Sequence, residues 1–234
     1  MTGRANEVSP QAWARSGGVL YLVVIVAGMA GELLIRDRII VPGDANATLA
    51  NIRAFEFLWR LGIAANVFHL ACSVALAVVF YVLLRPVHRD LALLAALFNI
   101  VAIAIEAVSK VFLMPSLFVL GSAAYLQTFT PDQLHALAYL SNRSHTAGFN
   151  ISLVFFGVEC LVIGWLVLKS RYLPRILGVL MQLAGVAYLA NSFALLLAPA
   201  LASILLLIPA AVAELSLALW LLVKGVDLRT WPGD

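Results

Sequence analysis

The chain has 234 residues, of which 63% are hydrophobic and 12% are charged, and its mean hydropathy is +1.01. A soluble domain carries about 25% charged residues, so this composition excludes a soluble globular protein. The formal net charge of +3 comes without any long basic run, which favours a membrane protein with basic loops over a nucleic-acid binder.

Six apolar segments each approach the ~20 residues that a helix needs to cross a bilayer. The first is preceded by a basic flank, and a cleaved signal peptide is the rival interpretation. The first apolar segment, however, is long for the apolar region of a signal peptide, and Gly28-Met29-Ala30 is a poor cleavage site, so an uncleaved first helix is favoured. The predicted spans are about Ala14–Ile35, Phe57–Leu84, Leu91–Met114, Ala147–Leu168, Ile176–Leu197 and Ala202–Val223. The sequence thus predicts an all-α, polytopic membrane helix bundle.

The stretch Val111–Phe129 is also uncharged and could form a seventh span. Six spans place the basic residues of the tails and short loops on one face, whereas seven would separate the 169–175 cluster from Arg85 and Arg89. The positive-inside rule therefore favours six spans with both termini cytoplasmic. Val111–Phe129 then becomes a helix extension or re-entrant piece, broken near Pro115 and Gly121. The basic residues that support this orientation are Arg4, Arg15, Arg85, Arg89, Lys169, Arg171, Arg175, Lys224 and Arg229.

This topology predicts one transmembrane domain, 14–226, between cytoplasmic tails 1–13 and 227–234. Of the two long external connections, the first contains a turn signal at Pro42-Gly43-Asp44. The second contains Thr130-Pro131-Asp132-Gln133, a helix start with proline at its first position. Four tryptophans near the span ends predict an aromatic belt: Trp13, Trp59, Trp165 and Trp220.

Charged groups recur at one predicted depth, the outer third of the bilayer. Glu56 and Arg60 are four residues apart, as are Glu106 and Lys110, so each pair shares a helix face. Simple ion pairing within each helix explains these pairs one at a time, but it gives no reason for a common depth. We therefore predict an outward-facing polar cavity. Its lining draws on Glu32, Glu56, Arg60, Glu106, Lys110 and His145.

Three further ionisable residues lie near the predicted midplane: His69, Glu159 and Glu214. Charge is costly there, so each is expected to face protein, a partner or water. They could be neutral groups that bond neighbouring helices, a metal site, or a proton relay. No helix offers two metal ligands at a spacing of three or four residues, and HExxH, GxSxG, P-loop and GxGxxG motifs are all missing from the sequence. We predict no metal and no cofactor.

The two cysteines, Cys72 and Cys160, fall in apolar runs and are expected to be small buried hydrophobes. A disulfide between them would require their two helices to touch.

Five stretches in this order resemble the bacterial membrane family defined by domain of unknown function 4386. The resemblance covers roughly Ala14 to Val226. It implies a polytopic membrane protein without an assigned activity, and it draws attention to Glu32, Gly43, Asp44, Asn51, Glu56, Arg60, Pro174, Arg175 and Glu214. Where the family has glycine before the last of these glutamates, this chain has Ala213. The stretches are ARSGGVLYLVVIVAGMAGE, VPGDANATLANIRAFEFLWRLG, LLRPVHRDLALLAALF, LVFFGVECLVIGWLVLKSRYLPRILGVL and PAAVAELSLALWLLVKGV.

Three functions remain open from the sequence. The favoured one is binding of a small molecule or lipid in the polar cavity, as in a transporter or sensor, with the bilayer as surrounding partner and a homo-oligomer left open. Its candidate ligand-binding residues are Glu32, Glu56, Arg60, His69, Glu106, Lys110 and Glu214. The second is a structural or accessory protein whose polar groups only direct packing. The third is a membrane-embedded enzyme that uses His69, Glu159 and Glu214.

Overall fold

In a computed structural model of the chain, which describes residues 9–232, the predicted all-α bundle is confirmed, and no strand occurs between these limits. Six helices are long and apolar enough to cross a membrane. We number the helices in chain order: α1 Pro10–Ile39, α2 Ala45–Ala54, α3 Glu56–Leu84, α4 Arg89–Val111, α5 Pro115–Phe118, α6 Pro131–Lys169, α7 Arg175–Leu197 and α8 Ile208–Val223. Arg4 and the ends of both predicted tails lie outside the described residues.

Helix α1 changes character along its length. It is an α-helix over Pro10–Met29, a π-helix over Ala30–Arg36 and a last α-turn over Asp37–Ile39. In the π-segment the Asp37 N–H donates to the Glu32 carbonyl oxygen, five residues earlier. Such i→i+5 segments inside helices are rare and often accompany functional sites.

The stretch Val111–Phe129 is not a seventh span. Helix α4 ends at Val111, a turn leads into the one-turn helix α5 with Pro115 at its start, and a 3₁₀ turn covers Ala124–Thr128. Proline cannot donate a backbone hydrogen bond and is favoured at a helix start, so it separates α5 from α4. The chain here extends the third span to Phe118, which is one of the two forms that the sequence predicts.

Local sequence sets the starts of two helices, of which the sequence predicts the second, at Pro131, and for the first predicts only the turn that precedes it. Gly43 takes a positive φ of 82°, which glycine allows, and Asp44 then caps α2 by accepting from the Ala47 N–H at 2.8 Å. Thr130 and Gln133 form a reciprocal capping box around Pro131. Because α6 runs without a break from Pro131 to Lys169, residues 134–145 extend the fourth span at its N-terminal end.

The chain divides into two compact units, to each of which α1, α3, α4 and α6 contribute a segment. Within the described part, the first unit takes residues 9–23, 72–102 and 153–232, and the second takes 24–71 and 103–152. An apolar core of the second unit consists of Ile35, Ile39, Ile52, Trp59, Leu113 and Leu117. Trp59 is 2% exposed and so is a core residue, whereas the sequence places it in the aromatic belt.

In the first unit, glycines allow two helix backbones to approach closely. A Cβ on Gly185 of α7 would lie 2.7 Å from the Gly157 carbonyl oxygen of α6, and one on Gly178 would lie 2.8 Å from that of Gly164. These distances leave no room for a methyl group. Small residues at helix contacts are the usual basis of close packing between membrane helices. Cys72 and Cys160 of this unit are free thiols, and Cys160 is buried.

We expect Gly185→Ala to lower the free energy of unfolding by about 1–3 kcal/mol, because the methyl group would overpack the contact with α6. Val186→Ala, next to it on α7 and 57% exposed, should change this free energy by less than ~0.5 kcal/mol. Unfolding in mixed micelles of rising denaturing-detergent content measures both. Equal effects of the two substitutions would contradict the close helix contact.

Candidate functional site

The charged residues of the second unit meet around the Glu32 carboxylate. Its Oε1 accepts from Lys110 Nζ at 2.7 Å and from Asn66 Nδ2 at 3.2 Å. His145 Nε2 lies 3.3 Å from Oε2, and Arg36 Nη1 lies 3.7 Å from the same oxygen. These partners come from α4, α3, α6 and α1 itself, so one carboxylate connects four helices.

A second carboxylate, Glu106, shares the same ammonium group. Lys110 Nζ lies 3.1 Å from Glu106 Oε1, and His69 Nε2 lies 3.7 Å from that oxygen. The Lys110 side chain is only 3% exposed, and its Nζ lies 4.9 Å from the centre of the Phe149 ring. We call the group Glu32, Arg36, Asn66, His69, Glu106, Lys110 and His145 the Glu32 cluster.

The backbone of α1 is shaped to admit this cluster. A Cβ on Gly31, within the π-segment, would lie 2.7–2.8 Å from the Asn66 amide, and one on Gly28 would lie 3.1 Å from His69 Nδ1. Glycine at both positions therefore lets polar side chains of α3 lie directly against α1. The sequence marks these glycines only as ordinary helix residues, so their role is visible only when the facing side chains are known.

Two buried polar atoms of the cluster have no hydrogen-bond partner among the described residues: Arg36 Nε and Asn66 Oδ1. Both residues line a small cavity together with Gly31, Ile35, Trp59, Gly62, Ile63 and Leu113. The cavity has room for about one water molecule. The charged groups thus touch one another directly, and the space beside them is narrow and mostly apolar.

The predicted candidate residues do not all belong to this cluster. Glu32, His69, Glu106 and Lys110 do, and so does His145, which the depth argument includes. Glu56 and Arg60 form an i, i+4 ion pair at 2.8 Å on α3, with side chains 44% and 55% exposed. This pair is the local arrangement that simple helical ion pairing predicts. Asn66 and Arg36 are cluster members that sequence reasoning missed, although Arg36 follows Glu32 by four residues.

Glu159 and Glu214 lie in the first unit, whereas His69 lies in the second. Glu159 is 3% exposed and its Oε2 accepts from Asn99 Nδ2 at 2.5 Å, while Glu214 accepts from the Tyr188 hydroxyl. Both contacts join helices inside one unit. Over residues 9–232, no three His, Cys, Asp or Glu side chains group in a way that could hold a metal ion.

We expect Lys110→Met to lower the free energy of unfolding by about 3–5 kcal/mol, because it leaves two buried carboxylates facing each other without their shared cation. Arg60→Met removes a cation from an exposed pair and should cost about 0–1 kcal/mol. Unfolding of both variants by a denaturing detergent measures the two losses of free energy. If the two losses are alike, the buried pairing of Lys110 does not stabilise the fold.

Comparisons with known proteins identify the family of the chain. An uncharacterized protein of Archaeoglobus fulgidus is 28% identical over 156 residues, which is 67% of this chain and 78% of that protein. No solved structure matches the chain. The model of the family described as "Domain of unknown function (DUF4386)" matches residues 17–225, a region that contains every residue of the Glu32 cluster. The chain is a multi-pass integral membrane protein, and it belongs to the DUF4386 family.

Proposed function

We propose that this membrane protein works by taking up and releasing a proton at the Glu32 cluster, as part of a transport or sensing cycle for a small molecule or lipid. Ionisable side chains inside a membrane helix bundle are functional candidates by default, because burying them is costly. The cluster assembles six ionisable groups from four helices, and this concentration supports the proposal.

The orientation of the two imidazole rings is the observation that carries the proposal. His145 Nδ1 lies 3.1 Å from the Ser109 carbonyl oxygen, and His69 Nδ1 lies 3.0 Å from that of Val24. A carbonyl oxygen only accepts hydrogen bonds, so each Nδ1 must carry the hydrogen. Each Nε2 is then left facing a carboxylate, at 3.3 Å for Glu32 and 3.7 Å for Glu106.

One proton therefore determines whether each imidazole–carboxylate contact is attractive or repulsive. When Nε2 is protonated, an imidazolium faces a carboxylate and the two helices attract each other. When Nε2 is bare, its lone pair faces a negative oxygen and the contact is repulsive. Imidazole is the side chain whose ordinary titration range lies between about pH 5 and 8, so this change is accessible in a cell.

The fixed charges of the cluster balance one another before either ring binds a proton. Glu32 and Glu106 supply two carboxylates, and Arg36 and Lys110 supply two permanent cations. Asp37, which is half-exposed and lies 3.0 Å from Arg36 Nη1, competes for one of these cations, so a proton on either ring offsets the charge that Arg36 shares with Asp37. In the proposed cycle, ligand binding and this proton are coupled through the same carboxylates.

Acrylamide quenching of Trp59 tests the proposal, using a variant in which Trp13, Trp165, Trp220 and Trp231 are replaced by phenylalanine. Trp59 is buried beside the cavity that Asn66 and Arg36 line. Loss of the proton should loosen the helix contacts, so quenching should rise as the pH is raised from about 5 to 8.

The same titration needs two matched histidine variants on α6. His145→Gln should reduce the pH dependence to the part that His69 contributes, whereas His135→Gln, which changes a partly buried ring outside the cluster, should leave it intact. A structural role is the second candidate, because most polar atoms of the cluster already have protein partners. That account predicts quenching that is the same at every pH, a result that would rule out the proton-linked function.

We further propose the bacterial cell membrane as the location, with both termini cytoplasmic, on the strength of the basic tails and short loops.

Cysteine labelling in intact cells tests this orientation, in a background where Cys72 and Cys160 are replaced by alanine. An impermeant maleimide added outside should modify Ala50→Cys and Gln127→Cys, which are exposed in the predicted external connections. Asp90→Cys, exposed at the start of α4, should react only after the cells are opened. The reverse pattern would invert the orientation.

A further inference from the structure

A second, larger cavity lies within the first unit, where the chain leaves α6 and α8. Its volume is about 310 Å³, at the lower end of the ~300–1,000 Å³ typical of small-molecule sites. The lining consists of the 171–174 connection, Trp220 and the 224–227 segment that follows α8. None of these residues belongs to the Glu32 cluster.

The cavity presents two cations that have no acidic partner within the described residues. Among residues 9–232, neither Arg171 nor Lys224 has an ion pair. The one carboxylate in the lining, Asp227, accepts from the Arg229 N–H at 3.0 Å and lies 3.9 Å from Arg229 Nε. The carbonyl of Lys224, the residue that follows α8, already accepts from Gln11 Nε2 at 2.9 Å. Two positive side chains therefore remain available to a ligand.

The connection that carries Arg171 is held in an unusual conformation. Arg171 has a φ of 57°, the one positive φ of a non-glycine residue in the part of the chain that the structure describes. Its carbonyl accepts from Thr230 Oγ1, and that of Tyr172 accepts from the Asp227 N–H at 3.1 Å. The Tyr172 hydroxyl donates to the Leu83 carbonyl oxygen at 2.5 Å. Burial raises the pKa of this hydroxyl, so it keeps its proton and remains a donor. Several hydrogen bonds thus hold the 171–172 backbone in a conformation that is energetically costly, and such strained conformations are often found at ligand sites.

The position of the cavity along the spans indicates the ligand. The spans end at Lys169 and Val223, and the next one begins at Arg175, so the lining lies where helices leave the hydrocarbon. Lipid phosphates occupy this level of a bilayer, and the half-buried Trp220 is the type of side chain enriched there. Basic pockets at the ends of membrane helices are suited to anionic headgroups.

We propose that this cavity binds the phosphate headgroup of an anionic membrane lipid through Arg171 and Lys224. The site is independent of the proton-linked function: it lies in the other unit and shares no residue with the Glu32 cluster.

Native mass spectrometry of the detergent-purified protein, incubated with phosphatidylglycerol or with phosphatidylcholine, measures how much of each lipid is retained. The wild-type chain should retain phosphatidylglycerol in preference. Arg171→Asn and Lys224→Gln should each weaken its binding about fivefold, the effect of one basic residue near an anionic headgroup. Asparagine tolerates the left-handed backbone, so the first variant removes the charge without adding strain.

Arg89→Gln is the matched control, because it removes an exposed cation of the same unit that does not line the cavity. It should leave lipid retention unchanged. Equal retention of the two lipids, or equal losses in Arg89→Gln and Arg171→Asn, would overturn the proposal. Displacement of the bound lipid by millimolar inorganic phosphate would identify a site for the free anion instead and would also overturn it.

Discussion

A buried carboxylate on a π-helical turn is the constraint on which the second unit depends. Removing a charge from water costs several kcal/mol even after relaxation, and only close partners offset that cost. Glu32 has its closest partners on three other helices: Lys110, Asn66 and His145. None of those helices can shift in this region without leaving the charge under-neutralised. The electrostatic requirement therefore constrains the relative positions of these helices.

The backbone of α1 meets the same requirement. The i→i+5 pattern over Ala30–Arg36 widens the turn that carries Glu32 and Arg36, and both side chains belong to one network. Glycine at 28 and 31 then leaves the space that the facing ring and amide of α3 occupy. The charged groups, the π-helical turn and the two glycines thus all contribute to one arrangement, and a change in any of them would disturb the contacts around Glu32.

The sequence predicts the architecture well because hydrocarbon thickness and the cost of exposed backbone leave few alternatives. Six spans, the capped start of α6 and the break near Pro115 all follow from these rules. The candidate site is harder to predict, because the sequence indicates how deep in the bilayer a residue lies but not the direction in which its side chain faces. Glu56–Arg60 and Glu106–Lys110 have identical spacing, yet the first pair is exposed and the second is buried. Trp59 likewise resembles a belt residue until packing with Leu113 and Leu117 is known.

The polar groups of the Glu32 cluster mostly bond to one another, and such an arrangement is still compatible with a functional site. Lys110 is shared by two carboxylates, so a proton on either neighbouring imidazole changes which of them needs the ammonium group. Alternative arrangements of the same groups can then differ by the few kcal/mol that a proton or ligand supplies, which is the property of a two-state element. Asn66 connects the cluster with the small cavity. Its amide nitrogen donates to Glu32, while its amide oxygen has no hydrogen-bond partner among the described residues and belongs to a side chain that lines the cavity. A water molecule that enters the cavity would meet the amide that contacts Glu32, so occupancy of the cavity and protonation of His145 would act on the same carboxylate.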